Sequence, residues 1–228
     1  MTNNLLFEDS LKADIESESV DLIITDPPFG IDYQSNQRKQ KLEKIDNDAN
    51  LKWLPKFMFK AKCILKPNSH IYIYCGWQTI DIFKQEFEKH FILKNILIWY
   101  KGRGAGNQGD LYGAYSNETE FILFGSKGTR DLNGKRTGNV LLYTREKILE
   151  QYHPNQKPVK LISEHILKSS NEGELIVDFF AGSNSTGKAS FLLNRNYIGF
   201  ENNESYFKLA QKSTNIFIQN SKTNKKIF

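Results

Sequence analysis

The sequence contains little cysteine and no long apolar run. It has two cysteines, Cys63 and Cys75, and their spacing fits neither a disulfide framework nor a metal-binding pair, so we expect no metal site. No hydrophobic stretch approaches the roughly 18 residues of a membrane span. The first ten residues are polar and then acidic, unlike a secretory signal. These absences predict a soluble, cytoplasmic protein.

The remaining composition is that of an ordinary globular chain with uneven charge. Of 228 residues, 39% are hydrophobic and 25% are charged, which argues against wholesale disorder. The net charge of +5 combines an acidic segment, residues 1–30, with basic segments at 126–147 and 208–228. A basic segment indicates a polyanionic partner, most often nucleic acid. A lysine-rich end is equally typical of a solvated tail.

Short apolar runs alternate with helical patterns along most of the chain. The runs predict strands at residues 5–7, 21–25, 70–75, 96–99, 119–124, 174–179 and 197–200. Apolar residues at helical spacing predict helices at 53–65, 79–91 and 158–169. The pattern therefore predicts a doubly wound α/β fold with a mostly parallel seven-stranded sheet, in which strands 96–99 and 119–124 can pair antiparallel.

The predicted domain covers residues 1–218. Residues 125–152 are polar, basic and contain glycine, so we interpret them as a small insertion. Residues 219–228 are predicted to be a flexible tail.

The first functional motif is Asp26-Pro27-Pro28-Phe29, directly after a predicted buried strand. In open α/β sheets, ligands bind beyond the carboxyl ends of strands, where this motif lies. A carboxylate, a proline carbonyl and an aromatic face together suit a planar ring that carries an exocyclic amine. A rigid Pro-Pro turn would explain the same residues without any function.

The second motif begins with Asp178 at the end of an apolar strand and continues through a loop of small residues to a helix start near Gly187. Small residues let the backbone approach a ligand, and a helix N-terminus presents unpaired N–H groups. Glu201 ends the next predicted strand, where an acid would hold a ribose diol.

The same loop also has some features of a phosphate-binding loop. Gly182, Gly187 and Lys188 have the required spacing, but Ala189 stands where a Ser or Thr would hold magnesium. A nucleotide hydrolase is therefore the alternative from a different class of enzyme.

The third motif, residues 153–158, reads His-Pro-Asn-Gln-Lys-Pro and precedes a predicted helix. Its prolines favour an extended backbone, and Lys157 is placed to neutralise an anion. A solvated basic loop is the alternative interpretation.

Together and in this order, the three motifs resemble those of the β-class amino-methyltransferases of DNA, which act on adenine N6 or cytosine N4. The resemblance covers roughly residues 3–210. In the second motif, Phe179 replaces the family's proline and Asn184 replaces a glycine, and asparagine can adopt the left-handed backbone that glycine would supply. The resemblance implies the Rossmann-like methyltransferase fold in a permuted order.

The resemblance also implies S-adenosyl-L-methionine as the methyl donor. In the family, Glu201 would correspond to the acid that holds the ribose hydroxyls, Lys157 to the residue on the methionine carboxylate, and Asp9 to a group near the adenine. The cofactor-binding residues carried over are Asp9, Lys157, Asp178, Phe180, Ala181, Gly182, Ser183, Ser185, Thr186, Glu201 and Asn202.

The catalytic residues implied are Asp26, Pro27, Pro28 and Phe29. The target base would be flipped out of the duplex, with its amine donating to Asp26 and the Pro27 carbonyl while Phe29 stacks on the ring. Asp rather than Ser at the head of this motif resembles the adenine-N6 members. We therefore expect a site-specific DNA adenine methyltransferase, with cytosine N4, an RNA base and an inactive DNA-binding relative as alternatives.

The implied partner is double-stranded DNA, with sequence recognition expected within residues 125–152. The residues expected to contact DNA are Arg38, Lys39, Lys127, Arg130, Lys135, Arg136 and Arg145. A homodimer and a cognate restriction endonuclease on another chain stay open, and we expect a bacterial or phage-encoded modification enzyme.

Overall fold

A sheet of eight strands lies at the centre of the computed structural model, which describes residues 2–30, 50–105, 112–144 and 156–223. The strands are β1 (Asn3–Phe7), β2 (Val20–Thr25), β3 (Leu65–Cys75), β4 (Ile92–Tyr100), β5 (Thr119–Lys127), β6 (Val140–Leu142), β7 (Leu175–Asp178) and β8 (Asn196–Glu201). The helices are α1 (Leu54–Ile64), α2 (Ile80–Glu88), α3 (Val159–Ser169), α4 (Ser185–Leu192) and α5 (Glu204–Thr223). The strand order across the sheet is β1-β8-β7-β2-β3-β5-β4-β6.

Strand direction determines which residues meet. The paired strands run parallel, except that β5 is antiparallel to both β3 and β4. The carboxyl ends of β1, β2, β3, β4, β7 and β8 therefore lie at one edge, which we call the carboxyl edge, and the opposite edge is the amino edge. Because β5 is reversed, its first residues join the carboxyl edge and its last residues lie at the amino edge.

Both faces of the sheet are buried beneath helices. All six residues of β2 are buried, with Val20 and Ile23 in the core beneath α1 and α2, and Leu22 and Ile24 in the core beneath α3 and α4. This arrangement explains why β2 is a continuous apolar run rather than an alternating one. The predicted doubly wound α/β fold is confirmed.

The three predicted helices are also confirmed. In α1, Pro55 lies in the first turn, where its missing N–H has no helical partner to lose. Pro158 is the N-cap of α3, which buries Leu161, Ile162 and Ile166 against the sheet. No helix within the described residues is long and apolar enough to cross a membrane.

All seven predicted strands form, but two predicted boundaries do not match the structure. The predicted insertion at 125–152 contributes residues 125–127 to β5 and Val140–Leu142 to an eighth strand, β6. This strand has three residues, two of them exposed, so it lacks a strong apolar pattern. Helix α5 continues to Thr223, past the predicted domain end at residue 218, so residues 219–223 are helical rather than a tail.

Candidate active site

The first motif lies at the carboxyl edge, directly after β2. Pro27 is buried, and Phe29 is half-buried between the end of β3 and Lys157. The Thr79 hydroxyl donates to the Phe29 carbonyl at 3.0 Å, which anchors the end of the motif. The Asp26 side chain is 23% exposed. Its Oδ1 atom is buried and has no hydrogen-bond partner among the described residues.

The other carboxylate oxygen of Asp26 is held by Lys157. The Lys157 Nζ atom lies 2.7 Å from Asp26 Oδ2 and 2.8 Å from Glu120 Oε2. The Lys157 side chain is only 6% exposed. The ammonium of Lys157 is thus paired with two acids of the protein, and its expected contact with the methionine carboxylate stays a prediction. Lys157 directly precedes α3, which packs on the face of the sheet that carries Leu22 and Ile24 of β2.

The surroundings of Asp26 change its acidity. Burial, the largest cause, raises the pKa of the Asp26 carboxyl to about 6. The positive charge of Lys157 acts to lower this pKa, whereas the negative charges of Glu120 and Asp178 act to raise it. Burial disfavours the charged form of Lys157 as well and therefore acts to lower its pKa. The two carboxylates outweigh burial, so the pKa of Lys157 is raised. Lys157 therefore stays charged, while Asp26 is a stronger base than an ordinary aspartate.

The second motif forms a loop organised by Asp178. Asp178 Oδ1 accepts hydrogen bonds from the Thr25 hydroxyl at 2.8 Å and the Phe180 N–H at 3.1 Å, and Oδ2 accepts from the Thr186 hydroxyl at 2.8 Å. Burial raises the pKa of Asp178 to about 6, and the hydrogen bonds from Thr186 and Thr25 oppose that change. Asp178 thus joins the ends of β2 and β7 to the start of α4.

The two departures from the family motif are accommodated without breaking the loop. Asn184, the N-cap of α4, has φ 60° and ψ 36°, which confirms the expected left-handed backbone. Phe179 is buried in the core, where its ring packs edge-on against Phe57 at 5.0 Å between centroids. The bulk of Phe179 therefore points into the core beneath α1 and α2.

Several predicted cofactor residues support the loop. The Ser185 hydroxyl donates to the Lys157 carbonyl at 2.7 Å and lies 3.2 Å from the Ser183 hydroxyl. Ser183, Ser185 and Thr186 are all buried. Ala181 is also buried, whereas Phe180 is half-buried against Trp53 and Phe57. These four residues, Ala181, Ser183, Ser185 and Thr186, are therefore buried within the loop and are not on its exposed surface.

The next two strands beyond β7, first β8 and then β1, bring two further acids to the carboxyl edge. Glu201 ends β8, and its two oxygens accept from the Gly182 N–H at 3.0 Å and the Asn203 N–H at 2.9 Å. Asp9 follows β1, whose last residue pairs with Glu201, and its Oδ1 accepts from the Leu11 N–H. Asn202 is exposed beside Glu201. These residues are brought together as predicted; their contacts with a cofactor stay a prediction.

Gly187 provides a test of the loop. A Cβ at this position would lie 2.5 Å from the Asn184 Oδ1 atom, in contact with the buried amide that donates to the Thr214 hydroxyl. We expect Gly187→Ala to lower the free energy of unfolding by about 1–3 kcal/mol, measured by urea unfolding, because of this overpacking. Gly138→Ala is the matched control, since nothing lies within 4 Å of its Cβ. A more stable Gly187→Ala protein, as helix propensity alone would give, would contradict the prediction.

The structure does not support the phosphate-loop alternative. The Lys188 side chain is buried, and its Nζ donates to the Ser183 carbonyl and the Ser213 hydroxyl. This lysine therefore ties the loop to α5 instead of extending to a ligand.

The basic residues predicted to contact DNA are placed differently from expectation. Lys127 ends β5 at the amino edge, where its ammonium lies 2.9 Å from Glu18 and donates to the Leu65 carbonyl at 2.7 Å. Arg130 pairs with Glu174, just before β7. Lys135 and Arg136 are exposed near the end of α3, where Lys168 donates to the Lys135 carbonyl. The reversed direction of β5 carries these four residues to the edge opposite Asp26, and their expected contacts with DNA stay a prediction.

Other predicted residues lie outside the described part of the chain. They are Arg38, Lys39, Arg145 and the His-Pro-Asn portion of the third motif, residues 153–155.

Sequence reasoning missed Glu120 and Lys101. Glu120 is the second residue of β5, and its Oε1 lies 3.6 Å from the buried Lys101 Nζ atom. The signal for both was a charged residue at the end of a strand that is otherwise apolar.

The arrangement defines an α/β protein of the Rossmann-like class in which Asp26, with its buried Oδ1 atom, lies at the same carboxyl edge as a loop of small residues at the N-terminus of α4. A family model described as DNA methylase (N6_N4_Mtase) matches residues 20–212. The chain belongs to this family, as the three motifs predicted.

Curated relatives align along most of their length. The type II methyltransferase M2.MboI of Moraxella bovis is 30% identical, over 86% of this chain and 81% of the relative. The type II methyltransferase M2.DpnII of Streptococcus pneumoniae is 31% identical, over 91% and 88%. The DNA adenine methyltransferase YhdJ of Escherichia coli is 28% identical, over 89% and 78%.

Solved structures have the same fold. The M1.HpyAVI–SAM complex superposes with a TM-score of 0.69 and 26% identity, covering 92% of this chain and 98% of that one. The cytosine-N4-specific PvuII DNA methyltransferase superposes with a TM-score of 0.75 at 19% identity, covering 96% and 92%, which shows the fold alone.

Proposed function

We propose that this DNA methylase transfers a methyl group from S-adenosyl-L-methionine to the exocyclic N6 of an adenine flipped out of double-stranded DNA. The observation that carries the proposal is the buried, unpartnered Oδ1 atom of Asp26 at the carboxyl edge. A buried acceptor without a donor costs about 1–3 kcal/mol, and an amine N–H would satisfy it. Asp26 is therefore suited to accept a hydrogen bond from the target amine.

The residues around Asp26 would hold the base and bring its amine into line. The Pro27 carbonyl is the second acceptor for the amine, and the Phe29 face stacks on the ring. The Thr79–Phe29 hydrogen bond and the close approach of Gly76 to the Phe29 ring keep this face in place. Positioning and charge placement would supply most of the acceleration.

The loop residues fit S-adenosylmethionine, which supplies an electrophilic methyl group on its sulfonium. The Glu201 carboxylate, which accepts from the N–H groups of Gly182 and Asn203, is the acid that would hold the ribose hydroxyls. The half-buried Phe180 ring, the exposed Asn202 and the half-buried Asp9 would complete the binding surface. The same cofactor is named in the M1.HpyAVI complex, and family membership supports the assignment.

Adenine is favoured over cytosine by the relatives and by the first motif. YhdJ is named as a DNA adenine methyltransferase, and Asp26 stands where adenine-N6 members carry Asp. The alternative is cytosine N4, whose exocyclic amine offers the same donors, and the PvuII enzyme with this fold acts there.

Two measurements on the wild-type chain test the proposal. Single-molecule sequencing of DNA from cells that express it should show methylated adenine at one recurring sequence, whereas methylated cytosine would establish the alternative. Calorimetry should detect binding of S-adenosylmethionine and none of ATP with magnesium. An unmethylated genome together with ATP binding would refute the proposal.

We further propose that the DNA surface lies at the carboxyl edge. Arg103 follows β4, the fully exposed Tyr112 and Tyr115 precede β5, and Trp77, 59% exposed, follows β3. Exposed aromatic rings and an arginine suit stacking on unpaired bases and contact with phosphates. All four surround the edge that carries Asp26.

Trp77→Ala tests this surface. We expect it to raise the dissociation constant for duplex DNA about tenfold, within the 1–3 kcal/mol of an aromatic–base stack. Phe59→Ala is the matched control, because Phe59 is also 59% exposed but lies in the middle of α1. Fluorescence anisotropy would measure both, and equal losses in the two variants would contradict the proposed surface.

The biological role, the cellular location and the oligomeric state of the chain are also proposals. The relatives M2.MboI and M2.DpnII are type II methyltransferases, which supports a restriction-modification role with a cognate endonuclease on another chain. We propose that the chain acts on DNA in a bacterial cytoplasm and forms a homodimer, which analytical ultracentrifugation would detect.

A further inference from the structure

Four charged side chains alternate in a row beneath the candidate active site. Asp26 pairs with Lys157, Lys157 pairs with Glu120, and Glu120 approaches Lys101. The Nζ–O distances are 2.7, 2.8 and 3.6 Å in that order. Glu120 and Lys101 are nearly buried, at 12% and 4% side-chain exposure, so solvent screens these charges weakly. We call Asp26, Lys157, Glu120 and Lys101 the charge row.

Three residues of the charge row lie at the ends of three different strands, and Lys157 lies directly before α3. Asp26 follows β2, Glu120 begins the reversed strand β5, and Lys101 follows β4, where Trp99 pairs with Glu120. The reversal of β5 brings Glu120 to the carboxyl edge. Its position is therefore set by the sheet and does not depend on a loop.

Lys157 is enclosed by aromatic rings as well as by carboxylates. Its Nζ atom lies 5.1 Å from the Tyr74 ring centroid and 5.8 Å from those of Phe29 and Trp99. These rings exclude water and strengthen the ion pairs. With Glu120 on one side and Asp26 on the other, the ammonium has little freedom to move.

We propose that Glu120 is a positioning residue for methyl transfer: it holds Lys157 against Oδ2 of Asp26, so that Oδ1 is left to accept the target amine. The inference rests on the proposed function, because it takes Asp26 as the amine acceptor. Glu120 also competes for the positive charge of Lys157 and thereby keeps Asp26 a good acceptor. If Lys157 were paired with Asp26 alone, Asp26 would be a weaker hydrogen-bond acceptor.

The proton affinity of Asp26 makes the proposal measurable. Among the described residues, the charged groups that face Asp26 are Lys157, Glu120 and Asp178. Burial and the two carboxylates outweigh the lowering effect of Lys157 and raise the pKa of Asp26 to about 6. Asp26 accepts the amine when ionised, so the methylation rate should fall as the pH drops through about 6. Removing the negative charge of Glu120 lowers the pKa of Asp26 and moves this fall to lower pH.

Glu120→Gln is the decisive variant, assayed by single-turnover methylation between pH 5 and 9 at saturating S-adenosylmethionine. We expect the acidic limb of the rate profile to shift down by about one pH unit. The rate at pH 8 should fall about three- to tenfold, with the dissociation constant for S-adenosylmethionine unchanged. Glu88→Gln, which removes an exposed carboxylate paired with Lys84, is the matched control and should keep the wild-type profile.

Other outcomes are equally decisive. An unmoved acidic limb in Glu120→Gln overturns the proposal even if the rate falls, because a merely structural role would give that result. If Glu120→Gln does not fold, Glu120→Asp decides, since it keeps the charge but shortens the reach to Lys157. Its acidic limb should stay in place while its rate falls, and a wild-type rate would overturn the proposal. Failure of the proposed function would instead appear as normal methylation by Asp26→Ala.

Discussion

Asp26→Ala should lower the rate of methyl transfer about 10²–10⁴-fold while leaving S-adenosylmethionine binding unchanged. The substitution removes Oδ1, the buried acceptor for the target amine, and leaves the Asp178 and Glu201 loop untouched. Single-turnover methylation of a duplex that carries the mapped site would measure the rate, and calorimetry would measure cofactor binding.

The folded state should tolerate this substitution. Removing one partner of a buried ion pair is usually costly because it strands the other charge. Here Lys157 keeps Glu120 at 2.8 Å, so its ammonium stays paired in Asp26→Ala. Asp14→Ala, which removes an exposed carboxylate from the same acidic segment, is the control and should methylate normally. Normal methylation by Asp26→Ala would show that the catalytic motif is wrongly assigned.

Asp178→Ala should have the largest effect on stability. Its carboxylate accepts two hydroxyl hydrogen bonds and one from the Phe180 N–H, and both donor threonines, Thr25 and Thr186, are buried. Each donor left without a partner costs about 1–3 kcal/mol, partly offset by removing a buried carboxylate. We expect the free energy of unfolding to fall by about 2–4 kcal/mol in urea titrations.

The same substitution should also raise the dissociation constant for S-adenosylmethionine about tenfold or more. Binding would then have to order the loosened loop, and each 1.4 kcal/mol spent on that ordering raises the dissociation constant tenfold. Asp178→Asn keeps the Oδ1 acceptor and should lose less stability and affinity. Glu172→Ala, an exposed acid before β7, should change the free energy of unfolding by less than about 0.5 kcal/mol. Wild-type stability in Asp178→Ala would refute the organising role of this carboxylate.

The elements and positions that were predicted correctly from the sequence share one property: they follow from neighbours along the chain. The continuous apolar run of β2 required a strand buried on both faces, and the apolar spacing in α3 required a helix. Asp26 directly follows β2 and Asp178 ends β7. Because these two strands are parallel, both residues lie at the carboxyl edge. Asn184 could be assigned a left-handed backbone from its residue type alone.

The contacts that the sequence did not predict depend instead on residues far apart in the chain. Lys157 was expected on a ligand anion, but a carboxylate 37 positions earlier in the chain, Glu120, and a second one, Asp26, surround it. Lys127 and Arg130 were expected on DNA, but the direction of β5 carried them to the amino edge. The local pattern allowed an antiparallel β5, but it does not report which charges meet once the sheet forms.

The sequence by itself determined the α/β fold, the three motifs and the family, because apolar periodicity and motif order are local properties of the chain. The sequence allowed the antiparallel pairing of β4 and β5, but only tertiary structure decided that Glu120 meets Lys157 and that one oxygen of Asp26 has no partner among the described residues. The physical reason is that the electrostatics of a buried site depend on which charges the sheet brings together and how far water is excluded from them.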